Sequence, residues 1–182
     1  MTITLRPAVT SDHPVMVGSV QRWWGDSRTP EQARELSLLL PKLFLQHFAG
    51  TSLVALAHDT ENKENTETVA GFLVGFHSAD QPDVAYIHFV GVDPQRRGLG
   101  VARTLYREFF AAAERAGRRV VHAVTSPGNT GSISFHRALG FRLLPGDRTA
   151  DNADDITVHS DYDGEGQDRV CFELTLGAQS GR

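Results

Sequence analysis

The sequence predicts a mixed α/β domain, and three observations predict it. Apolar residues alternate with polar ones in several short runs, they recur at helical spacing in others, and the two kinds of run do not alternate strictly along the chain. The order read from the N-terminus is strand, two helices, three strands, helix, strand, helix and two strands, which disfavours a plain Rossmann arrangement.

Ile3 and Leu5 alternate with Thr2, Thr4 and Arg6 until Pro7, giving a first strand. A helix follows from Ser11 and Asp12, with Pro14 in its first turn and Met16, Val20, Trp23 and Trp24 near helical spacing; Gly25 and Asp26 stop it. Thr29 can cap a second helix, with Gln32 reaching back as a capping box, and Ala33, Leu36, Leu40, Leu43 and Phe44 supply its apolar stripe. Pro41 cannot donate to the carbonyl of Ser37, so this helix should fall into two pieces. Residues 51–57 and 68–76 read as a β-hairpin around the polar stretch Asp59 to Glu67.

Val84 to Val92 is a strand that runs into Asp93-Pro94 and a glycine turn, after which Val101, Leu105, Phe109, Ala112 and Ala116 mark a long amphipathic helix closed by Gly117. Val120 to Thr125 is a short strand, Thr130 to Leu139 a short helix ended by Gly140, and Phe141 to Leu144 begins the next strand. Pro145 to Asp168 reads mostly as loop. The alternation of Val170, Phe172, Leu174 and Leu176 gives a last strand. Residues 1–176 are expected to form one domain and 177–182 a disordered tail.

Bulk properties exclude several classes. A net charge of -4 gives no basic face for nucleic acid. The lone Cys171 permits neither an intrachain disulfide nor a Cys-rich metal cluster, so no metal and a reducing cytoplasm are expected. No apolar run approaches the ~20 residues that span a bilayer, and the first residues read as a strand rather than a signal peptide.

The chemistry begins at Gln95-Arg96-Arg97-Gly98-Leu99-Gly100-Val101-Ala102. A strand entering a tight glycine turn and a helix gathers backbone N–H groups at the positive end of a helix dipole, which makes an anion site. Gly98 and Gly100 let phosphate oxygens approach the backbone, and Arg96 and Arg97 add charge at the rim. A dinucleotide fingerprint needs a third glycine where Arg103 stands, and a Walker A loop needs Gly-Lys-Ser/Thr; neither is present.

Val90 to Gly100 resembles the acetyl-CoA motif of the GNAT superfamily of N-acetyltransferases, with its pattern Gln/Arg-x-x-Gly-x-Gly/Ala. Asn129, Ser132, Phe135 and His136 fall at the spacing of a second family block and lead into Leu139-Gly140-Phe141. The resemblance implies a GNAT-like fold, a mixed central sheet of about seven strands splayed in the middle and flanked by four or five helices. It implies acetyl-CoA as cosubstrate, its pantetheine arm pairing with the backbone of Val90 and Val92. Amides of Arg97, Gly98, Leu99, Gly100, Val101 and Ala102 would hold the pyrophosphate, with Asn129, Ser132 and His136 contacting the cofactor from the later block.

Many relatives carry a strand glutamate where this chain has Tyr86, and serotonin N-acetyltransferases have histidine there and at the position of His88. His88, on the same strand face as Tyr86, is therefore the expected base, acting directly or through water. His136 stands where relatives commonly place a general-acid tyrosine, with Tyr162 and Ser134 in reserve. His122, Arg118 and Arg119 read as surface or helix-end residues. Trp24 and Tyr162 are expected walls of the acceptor cleft, and the acidic stretch from Asp147 to Asp168 either attracts a cationic amine or solvates a loop. The expected reaction is acetyl transfer to a primary amine of a small, cationic acceptor, with an acyl-CoA-binding module of the same fold as the alternative. Relatives are often dimers, so a homodimer is compatible with the resemblance.

Overall fold

A computed structural model describes residues 2–25, 29–58, 67–150 and 153–177, the side chains of 153 and 154 excepted. The expected turn tip at 59–66 and tail at 178–182 lie outside these residues. The backbone divides into two compact units, one of Met1–Phe76 and His88–Ala112, the other of His77–Ile87 and Ala113–Arg182.

The first unit holds β1 (Thr2–Pro7), β2 (Leu53–His58) and most of β3 (Glu67–His77), paired antiparallel in the chain order. Helices α1 (His13–Trp23), α2 (Pro30–Ser37) and α3 (Leu43–His47) precede the hairpin. The capping box at Thr29 forms as its sequence requires: Thr29 Oγ1 accepts from the Gln32 amide at 3.3 Å, and Gln32 Oε1 accepts from the Thr29 amide at 3.1 Å. α2 ends four residues before Pro41. Ser37 donates its hydroxyl back to the Arg34 carbonyl at 2.6 Å, and the amides of Leu38, Leu39 and Leu40 each reach only three residues back. Proline sets the break, and a tightened turn absorbs the residues before it.

The core of this unit joins Met16, Val20 and Trp23 of α1 to Val54, Leu56, Phe72 and Val74 of the strands. Phe72, Met16 and Val20 are fully buried, each contributing about 1.5–3 kcal/mol of apolar burial. β4 (Val84–Val92) and α4 (Val101–Arg115) both run from one unit into the other.

The second unit contains β5 (Val120–Thr125), α5 (Thr130–Ala138), β6 (Arg142–Leu143), β7 (Arg148–Ala150), β8 (Ala153–Val158) and β9 (Val170–Thr175). Pairing gives one seven-stranded sheet in the order β1-β2-β3-β4-β5-β9-β6 and a separate two-stranded β7-β8 ribbon. β4 pairs β5 in parallel, and the remaining pairs of β5 and β9 are antiparallel. The ribbon corrects the expectation of a loop from Pro145 to Asp168. Its start fits only glycine, because a Cβ at Gly146 would lie 2.1 Å from the Val158 carbonyl oxygen. Among the described residues no helix is long and apolar enough to cross a membrane.

Candidate functional site

In the first unit the end of β4 leads through a 3-10 turn, Pro94–Arg96, into the glycine turn and α4. Asp93 caps that turn by accepting from the Gln95 amide at 3.0 Å, and its other carboxylate oxygen pairs with Arg96 at 2.6 Å. Gly98 and Gly100 have φ of 78° and 83°, in the left-handed region, and no heavy atom lies within 4 Å of where a Cβ would stand on either. The backbone is thus bare where it meets the N-terminus of α4, whose first amides have no partner within the helix. Arg97 and Arg103 are exposed, and among the described residues neither has a carboxylate partner. This geometry suits a pyrophosphate. Arg96 serves the turn itself, also donating to Thr68 Oγ1 at 2.9 Å.

Pairing of β4 to β5 covers Val84–Ile87 only, although β4 runs on to Val92 and β5 to Thr125. His88 is the first β4 residue beyond that pairing. Its Nε2 lies 2.6 Å from the Leu39 carbonyl, which can only accept, so Nε2 carries the proton and the lone pair of the neutral ring sits on Nδ1. The ring stacks on Phe44 with centroids 4.2 Å apart. Trp24 meets Phe89 edge-on at 5.9 Å, whereas Trp23 is buried and stacks on Phe72 at 5.7 Å as a core residue.

In the second unit, Asn129 caps α5 by accepting from the Ser132 amide at 3.1 Å, which accounts for asparagine just before this helix. His136 is buried, stacks on Phe172 with centroids 4.5 Å apart and planes at 6°, and meets Phe141 edge-on. Its Nδ1 donates to the Ser132 carbonyl at 2.8 Å, which leaves Nε2 of the neutral ring without a proton. Burial holds its pKa below the ordinary imidazole value, against a smaller opposing effect of the Ser132 hydrogen bond. Ser134 is exposed on the same helix.

Tyr86 is half-buried, and burial first, then Tyr162, Asp163 and Cys171, push its phenol upward, with Arg169 opposing. The phenol keeps its proton at neutral pH. Tyr162 itself is exposed, with its ring edge-on to His159 at 6.1 Å. Five carboxylates of the acidic stretch are engaged: Asp168 pairs with Arg148, Asp163 with Arg169 at 2.7 Å, Asp155 with Arg137 at 2.9 Å, Asp147 accepts from Ser160, and Asp161 accepts from the Gly166 amide. Asp151 and the Asp154 side chain lie outside the described residues.

A polar group that sequence reasoning left on the surface completes this face. His122 Nε2 lies 2.9 Å from Glu173 Oε2, and Arg142 pairs with the other oxygen of the same carboxylate. Glu173 is held below the ordinary glutamate value by the His122 hydrogen bond first and by Arg142 as well. Only the strand register reveals this group, since the three residues are far apart in sequence.

An uncharacterised N-acetyltransferase of Methanocaldococcus jannaschii is 36% identical over 81 residues, covering 40% of this chain and 36% of that protein. An L-2,4-diaminobutyric acid acetyltransferase of Halalkalibacterium halodurans is 30% identical over 97 residues, covering 53% of this chain and 47% of that one. The chain therefore spans less than half the length of these two relatives. The PaiA N-acetyltransferase of Thermoplasma acidophilum, solved in complex with coenzyme A, shares the fold with a TM-score of 0.70 over 96% of this chain and 99% of that one, at 15% identity. Residues 18–141, more than half of the chain, match the acetyltransferase (GNAT) family, to which this protein belongs.

Proposed function

We propose that the protein transfers an acetyl group from acetyl-CoA to the primary amine of a small, cationic acceptor by direct attack on the thioester. The observation that carries this is the bare left-handed turn at Gly98 and Gly100 on the N-terminus of α4, which fits the donor's pyrophosphate. Amides from Gly98 to Ala102 and the Arg97 side chain would hold that group, and the backbone of Val90 and Val92, on the part of β4 not paired to β5, would take the pantetheine arm. Asn129 and Ser132, at the start of α5 in the second unit, are the residues that the later family block assigns to a cofactor contact. Trp24, in the first unit, would border the acceptor.

An alkyl ammonium has a pKa near ~10 and must lose a proton before it can attack. Two partly exposed imidazoles, His88 and His122, can accept one. We assign His136 to packing α5 on β9, because its donor is committed to Ser132 and burial disfavours the charged form that could protonate a thiolate. Several matched relatives are named L-2,4-diaminobutyric acid acetyltransferases, which supports an amino-acid-like diamine in the acceptor panel.

The test is CoA thiol release from acetyl-CoA across diamines including L-2,4-diaminobutyrate, polyamines, aminoglycosides and peptide N-termini, with propionyl- and succinyl-CoA as alternative donors. Amine-dependent release is expected. Tight CoA binding with no release from any donor and amine would instead identify a binding module.

A further inference from the structure

Register places four polar side chains in one row across four strands of the second unit. Tyr86 on β4 is opposite His122 on β5, His122 is opposite Glu173 on β9, and Glu173 is opposite Arg142 on β6. Directly opposed residues share a face of the sheet, so a phenol, an imidazole, a carboxylate and a guanidinium stand side by side. The neighbouring row, Ile87, Ala123 and Phe172, points to the other face and is buried, with α5 packed on it through His136.

The bonding within the row is directional. Arg142 donates to Glu173 Oε1, and the ionised carboxylate can only accept, so His122 Nε2 must carry its proton toward Glu173 Oε2. The lone pair of neutral His122 is thereby fixed on Nδ1. The side chain is 27% exposed, enough for an amine or one water to reach it, whereas Glu173 is 17% exposed and occupied at both oxygens. A carboxylate behind an imidazole selects the tautomer and fixes the orientation of the ring.

We propose that His122 is the proton acceptor for the incoming amine, positioned by Glu173, which Arg142 holds in turn. This rests on the acetyl-transfer reading above. The ammonium gives one proton to His122 Nδ1, directly or through a water, and the freed nitrogen lone pair attacks the acetyl carbonyl carbon. The C–N bond forms and the C–S bond breaks with its electron pair leaving on sulfur. The nitrogen's second proton passes to that thiolate, and the proton on His122 goes to solvent, so the products are amide, CoA thiol and one proton. The groups opposite His122 are Tyr86 from β4 and Glu173 from β9; Arg142 of β6 lies beyond Glu173, and Tyr162, Asp163, Cys171 and Arg169 surround Tyr86.

The experiment compares the pH dependence of kcat/KM for thiol release in the wild type, His122→Gln, Glu173→Gln and His88→Ala, with CoA binding and thermal melting as folding controls. His122→Gln should lower kcat/KM by about 100-fold and abolish the acidic limb, as loss of a general base does. Glu173→Gln, which keeps the shape, should lower it by about tenfold, because the imidazole loses the acceptor that fixes its tautomer and orientation. His88→Ala should keep the limb. Imidazole 1H–15N spectra should show His122 as the Nε2–H tautomer in the wild type and lose that bias in Glu173→Gln, a readout independent of turnover. Wild-type-like profiles in folded His122→Gln, or a limb lost only in His88→Ala, would overturn the assignment while leaving acetyl transfer standing. Absence of release from the wild type with every amine would overturn both.

Discussion

The guanidinium of Arg96 lies 2.6 Å from the carboxylate of Asp93, three residues before it, and this pair closes the turn that leads to the α4 N-terminus. The adjacent Arg97 is exposed and, among the described residues, has no carboxylate partner. The two arginines should therefore behave differently. Arg97→Ala is expected to raise the KM for acetyl-CoA about two- to fivefold with kcat retained, the effect of a screened surface charge worth up to ~1 kcal/mol, and the difference should shrink in high salt. Arg96→Ala should instead lower stability by about 1 kcal/mol, read in denaturant melts.

Gly100→Ala tests the cradle. An alanine must adopt φ near 83° there, which costs roughly 1–2 kcal/mol, but its Cβ meets no atom of the protein. The variant should fold. What the Cβ occupies is the space proposed for phosphate, so the rise in melting temperature that CoA gives the wild type should be absent. A ligand-induced shift equal to the wild type's would show that the phosphates sit elsewhere.

Acid sensitivity should trace in part to the entry of α1. Asp12 receives two hydrogen bonds from Arg6, at 2.7 and 2.8 Å, and one from the Val9 amide at 2.8 Å. The Arg6 hydrogen bond first, and then the Val9 amide, hold its carboxyl below the ordinary value. A depressed folded-state pKa adds stability that is complete above the unfolded-state value, near ~3.9, and is lost as pH falls through the folded one. Asp12→Ala should cost about 1 kcal/mol at neutral pH and show a smaller loss than the wild type between pH 5 and the acid transition, roughly the window of such a carboxylate.

His136 carries the opposite ionisation. Burial lowers its pKa in the folded state, so the unfolded chain binds the extra proton and stability falls as pH drops below the unfolded value near ~6.5. His136→Phe keeps a ring against Phe172 and removes the titration. Its melting temperature should change less than the wild type's between about pH 7 and 5. With His136 assigned to packing, kcat should stay within about tenfold of wild type, and a loss as large as that expected of a general acid, about 100-fold, would restore it to the chemistry.

The glycine turn and its flanking strand and helix were legible in sequence because their signals are local: a short, mostly apolar run from Val84 to Val92, two glycines, then an amphipathic stripe from Val101. The same holds for the Thr29 cap and the break around Pro41. The β7-β8 ribbon was hidden by charge, since Asp154 and Asp155 interrupt the apolar pattern before Ile156 and Val158, and the pairing is stabilised by its partner rather than by strand propensity. His122 and Glu173 were illegible for a different reason. Each looks like an ordinary solvent-facing residue of a half-buried strand, and only a pairing across 51 positions makes them one group. His88 was singled out by its strand position, but its partners on α3 and in the Leu38–Leu40 turn could be found only in three dimensions.

The interrupted second helix reaches further than its own length. In an unbroken helix the carbonyl of Leu39 would accept from the Leu43 amide; here that oxygen accepts the Nε2 proton of His88 instead. Pro41 thus acts at a distance as a tautomer selector, releasing the acceptor that dictates which nitrogen of a β4 imidazole keeps its proton. Restoring helix continuity at position 41 would return that oxygen to the Leu43 amide and withdraw the acceptor from His88 Nε2.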